Sequence, residues 1–352
     1  MHPCCELVSV ADTDAENLAF ASAAFDVPGY ATWDAMFAAQ AIDIAMAVLP
    51  VAANAAAVIA SAEAGVKAVF CEKPLTASLR DADDMIDACR SRGIPLAAGV
   101  VISSHRDYLS AFERAAAGEI GEILRIHLYD GNGQGGCHGL NLARKFAGKA
   151  AVESVIGWVA GDADSDFEEP YETGGTGFGE IGGIIRFANG IECFSNWQSL
   201  PWRGIEVVGT KGMICNRNNT ALGLKLFHPD GPAAHDPTQV TGLFEQGPWP
   251  AAGYDSDGWR DAGEPMHGIV QALVDALAED QPLQVTSGDD LRHALEIAIA
   301  LRESARRGSA LVDLPLADRD LLLYPEKDRW TYKKQIHGAD WYAEQLQATR
   351  RT

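Results

Sequence analysis

Short apolar runs alternate with amphipathic stretches through the first hundred residues, and this alternation limits the possible folds more than any other feature of the chain. Glu6–Ala11 (ELVSVA) reads as a strand that ends before Asp12, and Asp14 to Ala24 as a helix opened by an acidic turn. Ile42–Leu49 reads as a strand closed by Pro50, with a helix through Ala64 that stops at Gly65. Val66–Cys71 is a further strand, Ser78–Arg92 a helix ending at Gly93, and Ile94–Val101 another strand. Strands separated by helices of this length predict a parallel sheet covered on both faces.

The texture changes after about residue 104. Tyr108–Ala117 reads as a helix, Ile123–Tyr129 as a strand and Leu140–Phe146 as a helix. Strands with tight turns follow. Ile184–Ala188 and Ile191–Trp197 flank Asn189-Gly190, a strong hairpin signal. Ile205–Gly209 and Gly223–Phe227 are further strand candidates, followed by a Gly- and Pro-rich loop over roughly 229–263. Two amphipathic helices, about Met266–Ala278 and Asp289–Arg306, are expected to close this second domain. The division expected is therefore 1–102, 103–316, and a charged tail 317–352 that carries Tyr324, Trp330, Tyr332, Trp341 and Tyr342.

Charge and composition remove several classes of function. The net charge of −21 over 352 residues would repel a phosphate backbone or an anionic membrane, so neither is an expected partner. Ile44 to Ala62 lacks formal charge but is mostly Ala, interrupted by Pro50, Asn54 and Ser61, which suits a buried strand and a small-residue helix better than a membrane span. No signal-peptide pattern opens the chain. Seven scattered cysteines without a C-x-x-C pair suit a reducing, cytoplasmic setting. No H-E-x-x-H, G-x-S-x-G, P-loop or Tyr-x-x-x-Lys pattern occurs, and no metal is expected.

Four features carry chemistry. Asp12 ends the first strand, where a dinucleotide-binding fold uses an acid to take the adenosine ribose hydroxyls; it serves equally as a helix cap. Glu72-Lys73-Pro74 directly follows the strand Val66–Cys71. A lysine at the carboxyl end of a parallel strand sits at the sheet's ligand-binding edge and can stabilise a developing alkoxide; the plain alternative is a surface lysine beside a strand-stopping proline. His138, at a helix entrance, has the residue type of a general base near neutral pH, or of a histidine satisfied in the core. Cys137 beside it reads as packing. Two G-x-G-x-x-G matches occur, at Gly131–Gly136 and Gly177–Gly182, where 35 glycines give roughly 0.3 by chance. The first follows a strand and precedes a helix; the second leads into a hairpin.

These residues together resemble the Gfo/Idh/MocA (glucose–fructose oxidoreductase / inositol dehydrogenase) family. ELVSVADTDAENLAFASAAFDVPGYATWDAMF looks like its second strand and helix, and IDIAMAVLPVAANAAAVIASAEAGVKAVFCEKPL like its third strand through its Glu-Lys-Pro motif. GEIGEILRIHL (118–128), GTKGMI (209–214) and SARRGSALVDLPL (304–316) continue the likeness. The resemblance implies an α/β architecture: a Rossmann-type parallel sheet over 1–102, incomplete at its start, joined to an α/β domain whose largely antiparallel sheet often makes the oligomer interface.

It further implies NAD(P)-dependent oxidation of a hydroxyl on a sugar, cyclitol or related polyol. Lys73 and His138 match the catalytic residues. Asp12, Pro50, Glu72, Lys73 and Pro74 fall in cofactor-binding positions, and Gln134 and Asn141 in substrate-binding ones. The last two depart from the family pattern, which commonly has aspartate at both; a glutamine beside His138 removes one charge that would raise its pKa. Asp12, with no Arg across Thr13–Phe25, favours NAD over NADP. The family's first strand and glycine loop have no counterpart after Met1, which leads to the expectation of a start about 20–30 residues upstream. A non-catalytic relative that senses a sugar or nucleotide is the alternative; retention of both Lys73 and His138 favours the enzyme.

Overall fold

The alternation of the first hundred residues folds as five parallel strands, shown by a computed structural model that describes residues 3–104, 106–129, 137–159, 181–195, 204–217, 225–227, 238–239, 264–279 and 282–323. Strands β1 (Val10–Ala11) and β2 (Gly29–Tyr30) form one pair, while β3 (Ile44–Ala47), β4 (Ala68–Cys71) and β5 (Leu96–Ala98) form a separate sheet in the order β3-β4-β5. The run Glu6–Ala11, expected as one strand, is a strand only where Val10 and Ala11 meet β2. The rest of it leaves Leu7 and Val8 exposed, as are Met46 of β3 and Val48 just after it.

Helices α1 (Ala15–Phe25), α2 (Trp33–Ala39), α3 (Val51–Glu63) and α4 (Leu79–Arg90) connect these strands. Their ends follow from local chemistry. Asp14 accepts from the backbone N–H groups of Glu16 and Asn17, Ser78 accepts from that of Asp81, and Gly65 terminates α3 in the left-handed region at φ +78°. On α4 the buried residues Leu79, Ala82, Met85, Ile86 and Cys89 recur at three- and four-residue spacing, which is the stripe that a surface helix turns to the core.

Helices α5 (Arg106–Ala116) and α6 (Gly139–Phe146) lead into a nine-stranded sheet. Its strands are β6 (Ile123–Leu128), β7 (Val152–Val159), β8 (Ile181–Phe187), β9 (Glu192–Ser195), β10 (Gly204–Gly209), β11 (Met213–Arg217), β12 (Lys225–Phe227), β13 (Thr238–Gln239) and β14 (Val312–Asp313), in the order β13-β12-β11-β10-β6-β9-β8-β7-β14. Only β6–β9 pairs in parallel among the described residues; every other pairing is antiparallel. The Rossmann-type parallel sheet and the largely antiparallel second sheet are thus both present. The Asn189-Gly190 turn joins β8 to β9, with Gly190 at φ +85°.

Two late helices cover the sheets. Helix α7 (Glu264–Glu279) was expected to close the second domain; instead Ile269 and Leu273 pack on Phe70 of β4 and Ala97 of β5. The reason is that the parallel sheet needs cover on its second face. Helix α8 (Gly288–Arg306), opened by a Ser287–Asp290 capping box, lies over β7 and β8. A methyl at Gly157 would overlap the Leu301 carbonyl, so glycine is what lets α8 approach.

Charges tie α8 to α4: Asp83 meets Arg292 at 2.8 Å and Arg319 at 2.7 Å, and Glu296 meets Arg292 at 2.7 Å. Burial alone would raise the Asp83 carboxyl, but the Arg319 and Arg292 guanidiniums hold it below its ordinary value. Residues 321–323 then run beside the start of α4. Leu79 donates its N–H to the Leu321 carbonyl and Leu323 donates to that of Ala77. No described helix is long and apolar enough to cross a membrane.

Candidate active site at the carboxyl edge of the parallel sheet

Strand β4 is buried along its whole length, and the chain emerges from it at Glu72-Lys73-Pro74. The ladder carries one step further on each side, because Glu72 donates its N–H to the Ala47 carbonyl at 2.8 Å and Gly99 donates to that of Cys71 at 2.9 Å. The three strands therefore end together, which aligns the loops that follow them. Lys73 and Pro74, joined by a cis peptide bond, are half-buried in the first of these loops.

Asn54 holds that loop. It sits in the first turn of α3, is 1% exposed, and its Nδ2 donates to the Glu72 carbonyl at 3.4 Å and to the Pro74 carbonyl at 3.0 Å. One amide thus brackets Lys73 from both sides and satisfies two carbonyls that have left the ladder. Pro50 is the exposed residue that opens α3, with its φ of −54° suited to a helix start. Glu72 turns its carboxyl under Gly99, where any Cβ would collide with it. Burial raises the Glu72 carboxyl above the usual range, opposed by the charge of Lys73. Cys71 behind it is buried and its thiol is pushed far up by burial, so it is no nucleophile.

Asp12 lies at the carboxyl end of β1, donates its N–H to the Tyr30 carbonyl and accepts from the Asp14 N–H through Oδ1. His138 occupies the cap position of α6, half-buried, with Nδ1 inside the protein and its carbonyl accepting from Leu142. Cys137 is 4% exposed, in keeping with packing. Asn141 is fully buried. Its Nδ2 donates to Ser103 Oγ at 3.0 Å and Thr286 Oγ1 at 3.1 Å, and those hydroxyls are 2.7 Å apart. Gln134 and the Gly131–Gly136 loop lie outside the described residues, as does Gly177–Gly182 except for its last two positions.

Asn54, Gly99, Ser103 and Thr286 escaped the sequence reading. Asn54 carried a signal, as the one amide in the apolar run VAANAAAVIA. The other three announce themselves only through contacts across the fold.

The first hundred residues match the profile described as "Oxidoreductase family, NAD-binding Rossmann fold", that of Gfo/Idh/MocA proteins. The likeness to Gfo/Idh/MocA oxidoreductases thus rests on residues 1–100. A segment is 31% identical over 124 residues to the dTDP-3,4-didehydro-2,6-dideoxy-alpha-D-glucose 3-reductase of Streptomyces violaceoruber, covering 35% of this chain and 36% of that protein. Another is 35% identical over 92 residues to the D-apiose dehydrogenase of Paraburkholderia graminis, covering 26% and 24%. Such segments span about a third or less of the curated relatives they match. The fold extends further. The WlbA dehydrogenase of Bordetella pertussis, solved with NADH and UDP-GlcNAcA, superposes with a TM-score of 0.65 at 20% identity, covering 88% of this chain and 91% of that one. A parallel sheet that matches the NAD-binding Rossmann profile thus precedes a largely antiparallel sheet, in an overall fold like that protein's.

Proposed function

We propose that this protein is an NAD-dependent dehydrogenase that oxidises a hydroxyl-bearing carbon of a sugar, cyclitol or related polyol. The observation that carries this reading is Lys73, presented at the carboxyl edge of the parallel sheet by a loop that Asn54 brackets on both sides. Ligands of open α/β sheets bind at that edge.

The residues present fit a nicotinamide dinucleotide. Asp12 offers a carboxylate at the end of β1, suited to a ribose diol and repulsive to a 2′-phosphate, and no Lys or Arg lies in Thr13–Phe25 to offset that repulsion. Asp12, Pro50, Glu72, Lys73 and Pro74 would hold the cofactor, which when bound supplies the acceptor for the hydride. Lys73 then donates a hydrogen bond to the reacting hydroxyl and stabilises its oxygen as negative charge develops. His138 takes the hydroxyl proton. Gln134 and Asn141 are the positions assigned to substrate by family likeness.

Partner and compartment follow in the same spirit. The face of the nine-stranded sheet turned away from α8 carries Ile156, Ile184 and Phe194, half-buried and in register across β7, β8 and β9, and this is the surface we assign to a second copy of the chain. The seven cysteines form no disulfide among the described residues and five of them are buried, which suits a reducing cytoplasm.

The test is NADH formation across a panel of sugars, inositols and linear polyols, with NADP offered in parallel. Turnover with one class, lost in Lys73→Met, supports the reading. Tight sugar or nucleotide binding without turnover would make the protein a sensor, and equal use of NADP would remove the role given to Asp12.

A further inference from the structure

We propose that Asn141, held by Ser103 and Thr286, is the positioning residue that fixes His138 against the carboxyl edge of the parallel sheet. The proposal rests on His138 being the base in the reading above.

Asn141 follows His138 by three residues, one turn along α6, so the two share a helix face. The three polar side chains that meet at Asn141 come from three different places. Ser103 stands in the short turn that follows β5, and its Oγ also lies 3.4 Å from the Val100 carbonyl. Thr286 immediately precedes the cap of α8, and its carbonyl accepts from the Ala98 N–H of β5 at 2.9 Å. One buried amide therefore joins the first turn of α6, the end of β5 and the entrance of α8.

The hydrogen bonds have a consistent direction. Both Asn141 amide hydrogens are donated, one to each hydroxyl, leaving one hydroxyl to donate to its neighbour and Ser103 to donate onward to Val100. Ser103 and Thr286 are 0% exposed, as is Asn141, so water is not a substitute partner there. Apolar contacts between a helix and a sheet tolerate small slides; a buried, directional triad satisfied in one arrangement does not. The register it sets is that of the turn beginning at His138, relative to the sheet edge whose neighbouring strand β4 ends at Cys71, two residues before Lys73.

Family likeness gives position 141 to substrate binding, and the geometry gives it a different task. With both N–H groups engaged, only Oδ1 remains; it is buried and has no partner among the described residues. A substrate contact through Oδ1 is thus the rival explanation, and the kinetics separate the two.

The experiment compares Asn141→Leu, Thr286→Val, Thr286→Ser and the double variant Asn141→Leu/Thr286→Val, with kcat, KM for the polyol, Kd for NADH and melting temperature measured for each. Loss of positioning should lower kcat by about 10- to 100-fold, the order expected for a misplacement near 1 Å. KM and the NADH Kd should stay within a factor of about three. Thr286→Ser, which keeps the hydroxyl, should restore most of the kcat lost in Thr286→Val, and the double variant should fall no further than Asn141→Leu alone.

A raised KM with kcat retained would overturn the proposal in favour of substrate contact, and fully additive losses would overturn the triad. If Asn141→Leu does not fold, the Thr286→Val and Thr286→Ser pair decides alone. His138→Asn assayed alongside separates the levels: full turnover without His138 removes the base assignment and the proposal with it. A dead His138→Asn with native kinetics in the other variants removes the proposal only.

Discussion

In the three-stranded parallel sheet every residue of β4 is buried, with Phe70 turned to α7 and Val69 and Cys71 turned to the opposite core. In the nine-stranded sheet β9 buries Cys193 and Ser195 but leaves Phe194 half-exposed, stacked on His127 at 5.4 Å and lying under Arg125. The central strand of the first sheet is covered on both faces, and the sheet presents its loops at a strand end. The second packs one face of β7 and β8 on α8 and leaves Ile156, Ile184 and Phe194 half-buried on the other. Burial on two faces produces an edge where loops converge, which suits a small ligand, whereas burial on one face produces a broad surface.

Substitutions can break this contrast. Phe70→Ala should cost about 3–5 kcal/mol in urea unfolding, whereas Phe194→Ala should cost about 1 kcal/mol or less; similar losses would mean that the two sheets are equally sealed. Lys73→Met should lower turnover by about 10²–10³-fold with an unchanged melting temperature, because it removes a donor aimed at developing charge. Wild-type turnover in a folded Lys73→Met protein would detach the chemistry from this edge.

Asn54→Ala should cost about 1–3 kcal/mol, since the Glu72 and Pro74 carbonyls lose their shared donor, and it should lower kcat as well. A loss of stability with full kcat would make Asn54 a structural clasp alone. The smallest effect concerns Asp83. Its folded pKa lies below its unfolded one, so its contribution is present above the ordinary aspartate value and fades as pH falls through the lower folded value. The urea midpoint of the native protein should therefore drop on acidification below about pH 4, and Asp83→Asn should show a shallower drop. Identical pH curves would place the junction's stability elsewhere.

The parallel sheet was legible in the sequence because each of its strands is an apolar run framed by its own stop signals: Pro50 after β3, Pro74 after β4 and Gly93 before β5. The ends of α8 were legible for the same reason, with Ser287 and Asp290 at one end and Arg306 at the other. Strands β2, β7, β11, β13 and β14 and helix α2 were not, and β13 falls inside the stretch 229–263 expected as a loop. Strand β7 alternates poorly, since Gly157 is there to admit the backbone of α8 and not to fill either face. Strand β14 is two residues long and exists through its pairing with Val155 and Ser154. The site divides likewise. Lys73 and His138 stand out by chemistry and place, whereas Gly99 and Thr286 matter for what they sit against, and such contacts are properties of the folded chain.

The pairing of residues 77–79 with residues 321–323 bears on how the molecule is made. Ala77 and Leu79 lie just after Pro74, and the ion pair between Arg80 and Asp320 in the same junction spans 240 positions of sequence. A chain growing from the ribosome finishes β4 early, yet the segment leading from Lys73 into α4 meets its last backbone partners only after residue 323 has emerged. Contacts of such separation close late and slowly, because a long loop must be ordered before they form. The nascent protein thus carries Lys73 for most of synthesis without the framework around it being complete, and that framework closes nearly all at once.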